Sequence, residues 1–123
     1  RVIKNAITNN VVTLIDNKSC LRDYLYIDDV IDAFQLLLDI DDIYYNGSRF
    51  LLGSNKRRTI EDVWQEIVNQ IPGTSVNYNT IELASVEYRD YISSTDKFNS
   101  ATKWSPKVKL SDGIAKTIEV YND

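Results

Sequence analysis

Apolar residues recur at helical spacing over much of the chain. Residues three or four positions apart share one face of a helix, and this spacing predicts helices in residues 1–8, after the Asp28–Asp29 pair and from residue 60. The second helix has an apolar face of Val30, Ala33, Phe34, Leu37 and Leu38. The third has the longest apolar stripe, made of Ile60, Val63, Trp64, Ile67, Val68 and Ile71. A final amphipathic helix carries Ile114, Thr117, Ile118 and Tyr121.

Capping residues indicate where these helices begin and end. Asp28 or Asp29 is predicted to cap the second helix, because an aspartate there accepts hydrogen bonds from free backbone N–H groups and complements the helix dipole. Thr59 and Asp62 resemble a capping box for the third helix, which residues 72–73, Pro-Gly, terminate. Within residues 94–104 a further helix can begin at one of three residues, Ser94, Thr95 or Asp96.

Strands are predicted where β-branched and aromatic residues are concentrated. These segments are residues 11–16, 21–27 and 49–53, together with an alternating edge strand at 75–81. Polar loops or connectors are predicted at 17–19, 45–48, 54–59 and 105–110, and residues 82–92 are ambiguous. The alternation of helices and short strands predicts an α/β or α+β fold with three to five helices. The strands are too few for a full doubly wound sheet.

Composition narrows the class of protein. The 123 residues suffice for one domain, and 43% hydrophobic with 26% charged residues is ordinary for a soluble globular protein. A net charge of -4 argues against a sequence-independent nucleic-acid binder, which would need a basic face. A phosphorylated small molecule stays compatible with this charge, since one or two arginines are enough to bind it.

Missing residue types exclude several kinds of site. The chain has no histidine, so Cys/His zinc sites and Ser-His-Asp machinery are excluded within these residues. Cys20 is the single cysteine, which rules out an internal disulfide and favours a reducing compartment; we therefore expect a cytoplasmic protein. No apolar run approaches the about 20 residues that span a bilayer, and no signal peptide is visible.

The usual sequence motifs of nucleotide-cofactor enzymes are also absent. No two of the four glycines are close enough to form a glycine-rich turn, and there is no P-loop. The residue four positions after each tyrosine is never lysine. We therefore predict no catalytic, cofactor-binding or metal-binding residue on this chain.

The amino terminus indicates a piece of a longer protein. There is no methionine, and the chain opens within a helical pattern that has no cap. We expect residues 1–123 to be a single fragment. A processed or renumbered amino terminus is the alternative.

Several stretches resemble one enzyme family. "RDYLYIDDVIDAF" (22–34) is similar to the segment of extended short-chain dehydrogenases/reductases, the NAD-dependent epimerase/dehydratase family, in which an Arg-Asp-aromatic strand leads through an Asp-Asp pair into a helix. "YNGSRFLLGSNKRRTIEDVWQEI" (45–67) and "YRDYISSTDKFNSATKWSPKVKLSDGIAKTIEVY" (88–121) resemble later segments of that family in the same order.

The resemblance implies the carboxy-terminal, substrate-binding portion of a nucleotide-sugar epimerase, dehydratase or reductase that uses NAD or NADP. The family transfers a hydride transiently between a sugar carbon and the nicotinamide. Its cofactor-binding glycines and catalytic tyrosine and lysine would lie upstream, so this chain alone is expected to be inactive. The implied partners are a nucleotide-diphosphate sugar and the missing amino-terminal cofactor domain. An apolar patch left by that domain would favour self-association.

Arg22 is the first substrate-binding residue that the resemblance implies. The family's arginine at this strand reaches the diphosphate or nucleotide part of the substrate, and a guanidinium binds phosphate oxygens two at a time. Strand alternation places Arg22 on one face with Tyr24 and Tyr26. Asp23 falls on the opposite, apolar face and requires hydrogen-bond donors there, for which we expect backbone N–H groups. A surface arginine paired with a nearby aspartate is the alternative for Arg22.

Arg89, Thr13 and Leu14 complete the implied substrate contacts. Arg89 precedes the closing helix as the family's second substrate arginine does, with an ion pair to Asp90 or Glu87 as the alternative. Thr13 and Leu14 lie where the family's strand passes the nucleobase.

Other noticeable residues have structural explanations. Helix capping accounts for the Asp28–Asp29 pair better than a metal or acid–base site, and Trp64 and Trp104 are expected in the core. The run at 56–58, Lys-Arg-Arg, is expected in a solvated loop, with proximity to a nucleotide as the alternative. The rival hypothesis for the whole chain is a stand-alone α/β ligand-binding or interaction module without enzyme activity.

Overall fold

Five helices and four short strands make up the described part of the chain. The structure, a computed structural model, describes residues 1–15, 20–39, 47–79, 90 and 92–122. In chain order the elements are α1 Val2–Asn9, β1 Val11–Ile15, β2 Leu21–Asp23, α2 Ile27–Leu38, β3 Arg57–Thr59, α3 Ile60–Gln70, β4 Ser75–Asn79, α4 Asp96–Thr102 and α5 Leu110–Asn122. The predicted α/β fold class with three to five helices is confirmed.

The strands form two small sheets. β1 and β4 pair in parallel over five residues, from Val11 opposite Ser75 to Ile15 opposite Asn79. β2 and β3 pair antiparallel over three residues. Within the described residues neither sheet has a third strand, in agreement with the prediction that a full doubly wound sheet is absent.

The larger core lies between β1 and three helices. Ala6 of α1, Val12 of β1, Val63 and Ile67 of α3 and Ile114 of α5 are buried together. The apolar stripe predicted for the third helix therefore packs as expected. Partly buried side chains extend this core around its edge, namely Val2, Ile3, Tyr24, Trp64, Val68, Ile71, Leu110 and Ile118.

A smaller core joins α2 to α4. Ala33, Phe98 and Trp104 are buried there. The Phe98 ring contacts the rings of Phe50 and Trp104 edge-on, each with centroids 5.5 Å apart. Leu25 is also packed against this cluster. The prediction that Trp104 belongs to the core is confirmed, and Trp64 is half-buried with its Nε1 donating to the Thr13 carbonyl at 3.2 Å.

The predicted capping box forms at the start of α3. The Thr59 N–H donates to Asp62 Oδ2 at 2.8 Å, and the Asp62 N–H donates to Thr59 Oγ1 at 3.0 Å. Hydrogen bonds from the Thr59 backbone and side chain lower the pKa of the Asp62 carboxyl, and the Arg58 guanidinium contributes in the same direction. The box fixes the junction between β3 and α3, because Thr59 belongs to the strand and caps the helix.

The predicted cap of α2 is wrong. The helix begins at Ile27 with Tyr26 as its N-cap, and no side chain caps it. Asp28 and Asp29 therefore lie inside the first turn, where they still complement the helix dipole but point toward other segments. Asp28 forms an ion pair with Lys116 of α5 at 3.1 Å. Asp29 is 2% exposed and accepts the backbone N–H groups of Lys107 and Val108.

Two predicted strand assignments are also wrong. Residues 49–53 form no strand, although Phe50 and Leu52 pack against the smaller core. The strand predicted at 21–27 ends at Asp23. The partner of β2 is instead Arg57–Thr59, part of the segment predicted as a polar loop. Local β-propensity misplaced this strand, because pairing with β2 defines it and not the composition of residues 57–59.

Part of the predicted apolar face of α2 is exposed. Ala33 is buried and Leu37 packs against the smaller core, but Phe34 and Leu38 are 60% and 85% exposed. Ile27 and Ile31 are 58% and 48% exposed. Ile27, Ile31, Phe34 and Leu38 follow one another at intervals of four, three and four residues and so share one side of the helix. We call this set the α2 stripe.

Removing the Asp29 carboxylate is expected to destabilise the fold far more than the same change at Asp28. In Asp29→Asn, an NH₂ group replaces one of the two carboxylate oxygens, so one of the two backbone N–H groups loses its acceptor. The unfolding free energy should fall by about 1–3 kcal/mol. Asp28→Asn removes only an exposed ion pair and should cause a small fraction of that loss. Urea unfolding of both variants measures the difference. Equal losses in the two would contradict the anchoring role of Asp29.

Candidate functional site

The β2–β3 ladder presents arginines on both of its faces. Arg22 stands opposite Arg58, and Asp23 stands opposite Arg57. Directly opposite residues of an antiparallel pair project from the same face. One face of the ladder therefore carries two guanidiniums, and the other carries a carboxylate and a guanidinium.

Asp23 ties the ladder to two other segments. Its Oδ1 accepts the Ser54 backbone N–H and the Ser54 hydroxyl, both at 2.6 Å, and its Oδ2 accepts the Ser93 N–H at 3.3 Å. A Cβ at Gly53 would overlap the Asp23 carboxylate and lie 2.9 Å from the Ser93 Cβ, so this position accepts only glycine without a shift. The prediction that Asp23 requires backbone N–H donors is confirmed.

Arg22 is half-buried at the middle of β2. Its Nη1 donates to the carbonyl of Leu21 at 2.8 Å, which holds the guanidinium close to the ladder. Burial raises the pKa of the Tyr24 phenol above its ordinary value of 10.0, and the Arg22 charge opposes that rise. Tyr24 and Tyr26 lie beyond the end of β2, so the shared strand face predicted for Arg22, Tyr24 and Tyr26 does not extend past Asp23. Tyr26 has another role: its ring packs against Gly113 of α5, and the Lys116 ammonium lies 5.3 Å from the ring centroid.

A cavity of about 410 Å³ opens beside this ladder. It lies between the segment before β3, the exposed side of α3 and the connector that leads into α5. Its lining residues are Tyr24, Ser54, Lys56, Arg58, Asp62, Gln65, Glu66, Asn69, Pro106, Lys107, Val108, Lys109, Leu110 and Ser111. Arg22 is not among them. The volume lies in the range of small-molecule sites.

The charges lining the cavity are not equivalent. Lys107 is paired with Asp32 at 3.2 Å, outside the lining. Glu66 accepts a hydrogen bond from Gln70 at 2.7 Å, and Asp62 is held in the capping box. Lys56, Arg58 and Lys109 form no ion pair within 4 Å among the described residues. Four cationic side chains and two carboxylates line the cavity, so the lining is net positive although the chain as a whole is acidic.

The structure corrects the prediction for the Lys-Arg-Arg run at 56–58. Arg57 and Arg58 belong to β3 and not to a loop, and Lys56 and Arg58 line the cavity. The segment 54–59 is polar and has no alternating apolar pattern, so nothing local in it indicates a strand. Only the register with β2 shows which of the two arginines shares a face with Arg22.

Of the remaining residues of the predicted site, the structure describes Thr13 fully and Leu14 in part. Thr13 lies in β1 with an exposed side chain, and its carbonyl accepts the Trp64 indole N–H. The Leu14 backbone pairs with Tyr78, while its side chain lies outside what the structure describes. Arg89 lies outside the described residues. The residue after it, Asp90, accepts the Leu21 N–H at 2.9 Å, at the start of β2.

Gly53 and Gly113 leave no room for a dinucleotide cofactor. Gly53 is closed off by Asp23, and Gly113 lies inside a helix against the Tyr26 ring. Neither position leaves a turn between a strand and a helix where a diphosphate approaches the backbone. Within the described residues, no group of three acidic or cysteine side chains could hold a metal ion.

The likeness of this chain to known sequences is low. No protein-family model matches the chain. The trifunctional UDP-glucose 4,6-dehydratase/UDP-4-keto-6-deoxy-D-glucose 3,5-epimerase/UDP-4-keto-L-rhamnose-reductase of Arabidopsis thaliana is 24% identical over 119 residues, which are 94% of this chain and 17% of that protein.

Solved structures show a much clearer likeness. The ADP-L-glycero-D-manno-heptose-6-epimerase of Helicobacter pylori aligns with a TM-score of 0.82 at 16% identity, over 98% of this chain and 36% of the epimerase. A Y149F mutant of the Bacillus cereus UDP-glucuronic acid 4-epimerase, in complex with a UDP-sugar and NAD, aligns at 0.81 and 24% identity, over 99% and 38%. The Thermotoga maritima UDP-glucose 4-epimerase with UDP-glucose aligns at 0.80 and 22%, over 98% and 38%.

The chain has the fold of part of a nucleotide-sugar epimerase or dehydratase. It spans less than two fifths of the length of these solved enzymes and about a sixth of the curated relative. The resemblance recognised in the sequence is thereby confirmed at the level of the fold. None of the helices in the described ranges is long and apolar enough to cross a membrane.

Replacing Arg22 with glutamine is expected to raise the pKa of Tyr24 further, because the guanidinium favours the ionised phenol and burial disfavours it. A raised pKa means that the unfolded chain ionises first. The contribution of Tyr24 to the unfolding free energy is therefore fully present below the ordinary tyrosine pKa. It is lost as pH rises through the folded pKa, and the total loss is larger in Arg22→Gln. Titration of the tyrosine ring carbons by NMR measures the shift. Arg57→Gln, on the other face, is the control; an equal shift there would contradict the placement of Arg22.

Proposed function

We propose that residues 1–123 are one piece, the carboxy-terminal substrate-binding part of an NAD- or NADP-dependent nucleotide-sugar epimerase, dehydratase or reductase. The observation that carries this proposal is the alignment of 98–99% of the chain with 36–38% of three nucleotide-sugar epimerases. Two of those epimerases are described with a UDP-sugar. The order of the resembling sequence stretches supports the same assignment.

Arg22 is the proposed contact to the diphosphate of the substrate. It lies on a rigid ladder whose other face is anchored by the Asp23 hydrogen bonds. A guanidinium held this way loses little conformational freedom when phosphate oxygens bind. Arg89 is proposed as a second arginine for the same group, and Thr13 and Leu14 as contacts to the nucleobase.

This part of the enzyme would position the substrate and perform no bond chemistry. The nicotinamide cofactor would supply the hydride acceptor, and Gly53 and Gly113 leave no room for it on this chain. Binding of the diphosphate at a distance from the reacting sugar carbon lowers the barrier by orientation. We therefore propose that the chain on its own is inactive, in a cytoplasmic enzyme whose cofactor domain is encoded upstream.

The α2 stripe is the proposed contact surface for that cofactor domain. Four large apolar side chains on one side of a helix, each about half or more exposed, form the kind of patch that a partner surface covers. Charged residues of α2 lie elsewhere, since Asp28, Asp29 and Asp32 contact Lys116 or the connector before α5. The stripe is thus the side of α2 that the described residues leave without apolar cover.

The coding sequence upstream of residue 1 tests the proposed function directly. We expect a strand, a glycine-rich turn and a helix, followed by a Tyr-x-x-x-Lys pair, because the cofactor site and the acid/base residues must come from there. A start codon a few codons before residue 1, or an open upstream reading frame without both features, would contradict the proposal. It would favour the stand-alone binding module instead.

Polar substitutions in the α2 stripe are expected to reduce self-association and binding of a hydrophobic dye. Phe34→Ser with Leu38→Ser removes the two most exposed members of the stripe, so both signals should fall. Sedimentation velocity and dye fluorescence measure them. Val120→Ser, at a 73% exposed residue of α5, is the matched control. A wild-type chain that is monomeric at high concentration and binds no dye would contradict the proposed surface, as would equal effects in both variants.

A further inference from the structure

A second pocket adjoins the cavity of about 410 Å³. Its volume is about 210 Å³, and we call it the apolar pocket and the larger one the polar cavity. The two are neighbours, because they share four lining residues, namely Tyr24, Val108, Lys109 and Leu110. A ligand that enters one of them therefore meets the border of the other.

The larger core provides the floor of the apolar pocket. Val63, Ile67 and Ile114 of that core line it and are at most 6% exposed, and the half-buried Ile3 and Leu25 complete its aliphatic wall. A cavity of about 150 Å³ with such a lining is enough to bind benzene. The apolar pocket therefore has room for one six-membered ring.

The one hydroxyl of a serine or threonine that lines the apolar pocket is already used. Thr117 Oγ1 donates to the Gly113 carbonyl at 2.7 Å, one turn earlier in α5. A ring in this pocket therefore does not deprive the threonine of its hydrogen-bond acceptor.

The polar cavity next to it suits a negatively charged group. Lys109 lines both pockets, and Lys56 and Arg58 line the polar cavity. None of the three forms an ion pair within 4 Å in the part of the chain that the structure describes, although the Arg58 charge acts on the Asp62 carboxyl. Asp62 and Glu66, the carboxylates of this lining, already accept hydrogen bonds from other groups of the chain.

Tyr24 lies where the two pockets meet. Burial raises the pKa of its phenol above the ordinary value of 10.0, so the phenol is neutral at pH 7. A neutral phenol can donate a hydrogen bond to an anion. Arg22 lines neither pocket, so this site is separate from the proposed diphosphate contact.

We propose that the two pockets together bind a small phosphate monoester that carries one apolar ring. The ring occupies the apolar pocket, and the phosphate lies in the polar cavity beside Lys109 and Arg58. A phosphate monoester has a charge of about −1.5 to −2 at pH 7, which complements the excess of cations over carboxylates in the lining. The guanidinium of Arg58 matches phosphate oxygens two at a time. The inference does not depend on the proposed function.

The test titrates the 123-residue chain separately with phenyl phosphate, inorganic phosphate and phenol, following methyl and amide signals by NMR. We expect phenyl phosphate to shift the Ile67 and Ile114 methyl signals and the Lys109 amide signal saturably. It should bind at least tenfold more tightly than either phosphate or phenol, because each of these lacks one half of the ligand.

Two variants separate the halves of the site. Lys109→Gln removes an exposed cation and should weaken phenyl phosphate binding about fivefold. Lys103→Gln is the matched control, because Lys103 is an exposed lysine that lines neither pocket and should leave the affinity unchanged. Ile3→Phe fills part of the apolar pocket, so it should weaken binding of phenyl phosphate and leave that of inorganic phosphate unchanged.

Amide spectra establish that each variant is folded, and the Lys109→Gln comparison stands even where Ile3→Phe is not. An absent or unsaturable response to phenyl phosphate would overturn the inference. So would inorganic phosphate that binds as tightly as phenyl phosphate, or a folded Ile3→Phe chain that binds phenyl phosphate like the wild type. Equal losses in Lys109→Gln and Lys103→Gln would show a general charge effect and would also overturn it.

Discussion

Two carboxylates between residues 21 and 29 hold together segments that have no regular secondary structure. Asp23 accepts hydrogen bonds from Ser54 and Ser93, and Asp29 accepts them from Lys107 and Val108. Each bond joins positions 31 to 79 residues apart in the chain. A carboxylate that receives several backbone N–H groups replaces the water those groups would lose on burial, so each anchor keeps a loop in place without a strand or helix.

These anchors give neighbouring residues of the segment 21–29 different roles. Asp23 fixes the face of β2 opposite Arg22, and Asp29 fixes the connector that forms one wall of the cavity. Tyr24 lies between Asp23 and Asp29 in the sequence and lines the cavity. The Tyr26 ring packs against Gly113 of α5. The position of the ladder relative to the cavity is thus set by side chains from one stretch of nine residues.

In the part of the chain that the structure describes, the packing forms a wall of a cavity and leaves an apolar surface exposed. The ladder and cavity offer guanidiniums and a lysine at an open border, while the α2 stripe leaves apolar side chains uncovered. Both features fit a chain that spans less than two fifths of the nucleotide-sugar epimerases of the same fold. On the proposed function, this part would orient the substrate and another part of the sequence would carry out the chemistry.

Patterns with strong local causes were predicted correctly from the sequence. Helical periodicity defined α3 and its buried stripe, and the spacing of Thr59 and Asp62 defined its cap. The need of Asp23 for backbone donors followed from the cost of burying a charge. Arg89 and the Leu14 side chain stay predictions, because they lie outside the described residues.

Only the tertiary structure decided which segments meet. The sequence by itself determined the α/β class, the helices and the presence of a charged residue on an apolar face, because these depend on neighbours within a few positions. It could not predict that β3 pairs with β2 or that Asp29 accepts backbone N–H groups of the connector before α5. It also could not show that Phe34 and Leu38 are exposed. Those outcomes depend on contacts between residues far apart in the chain, whose free energy outweighs local propensity and leaves no periodic trace in the sequence.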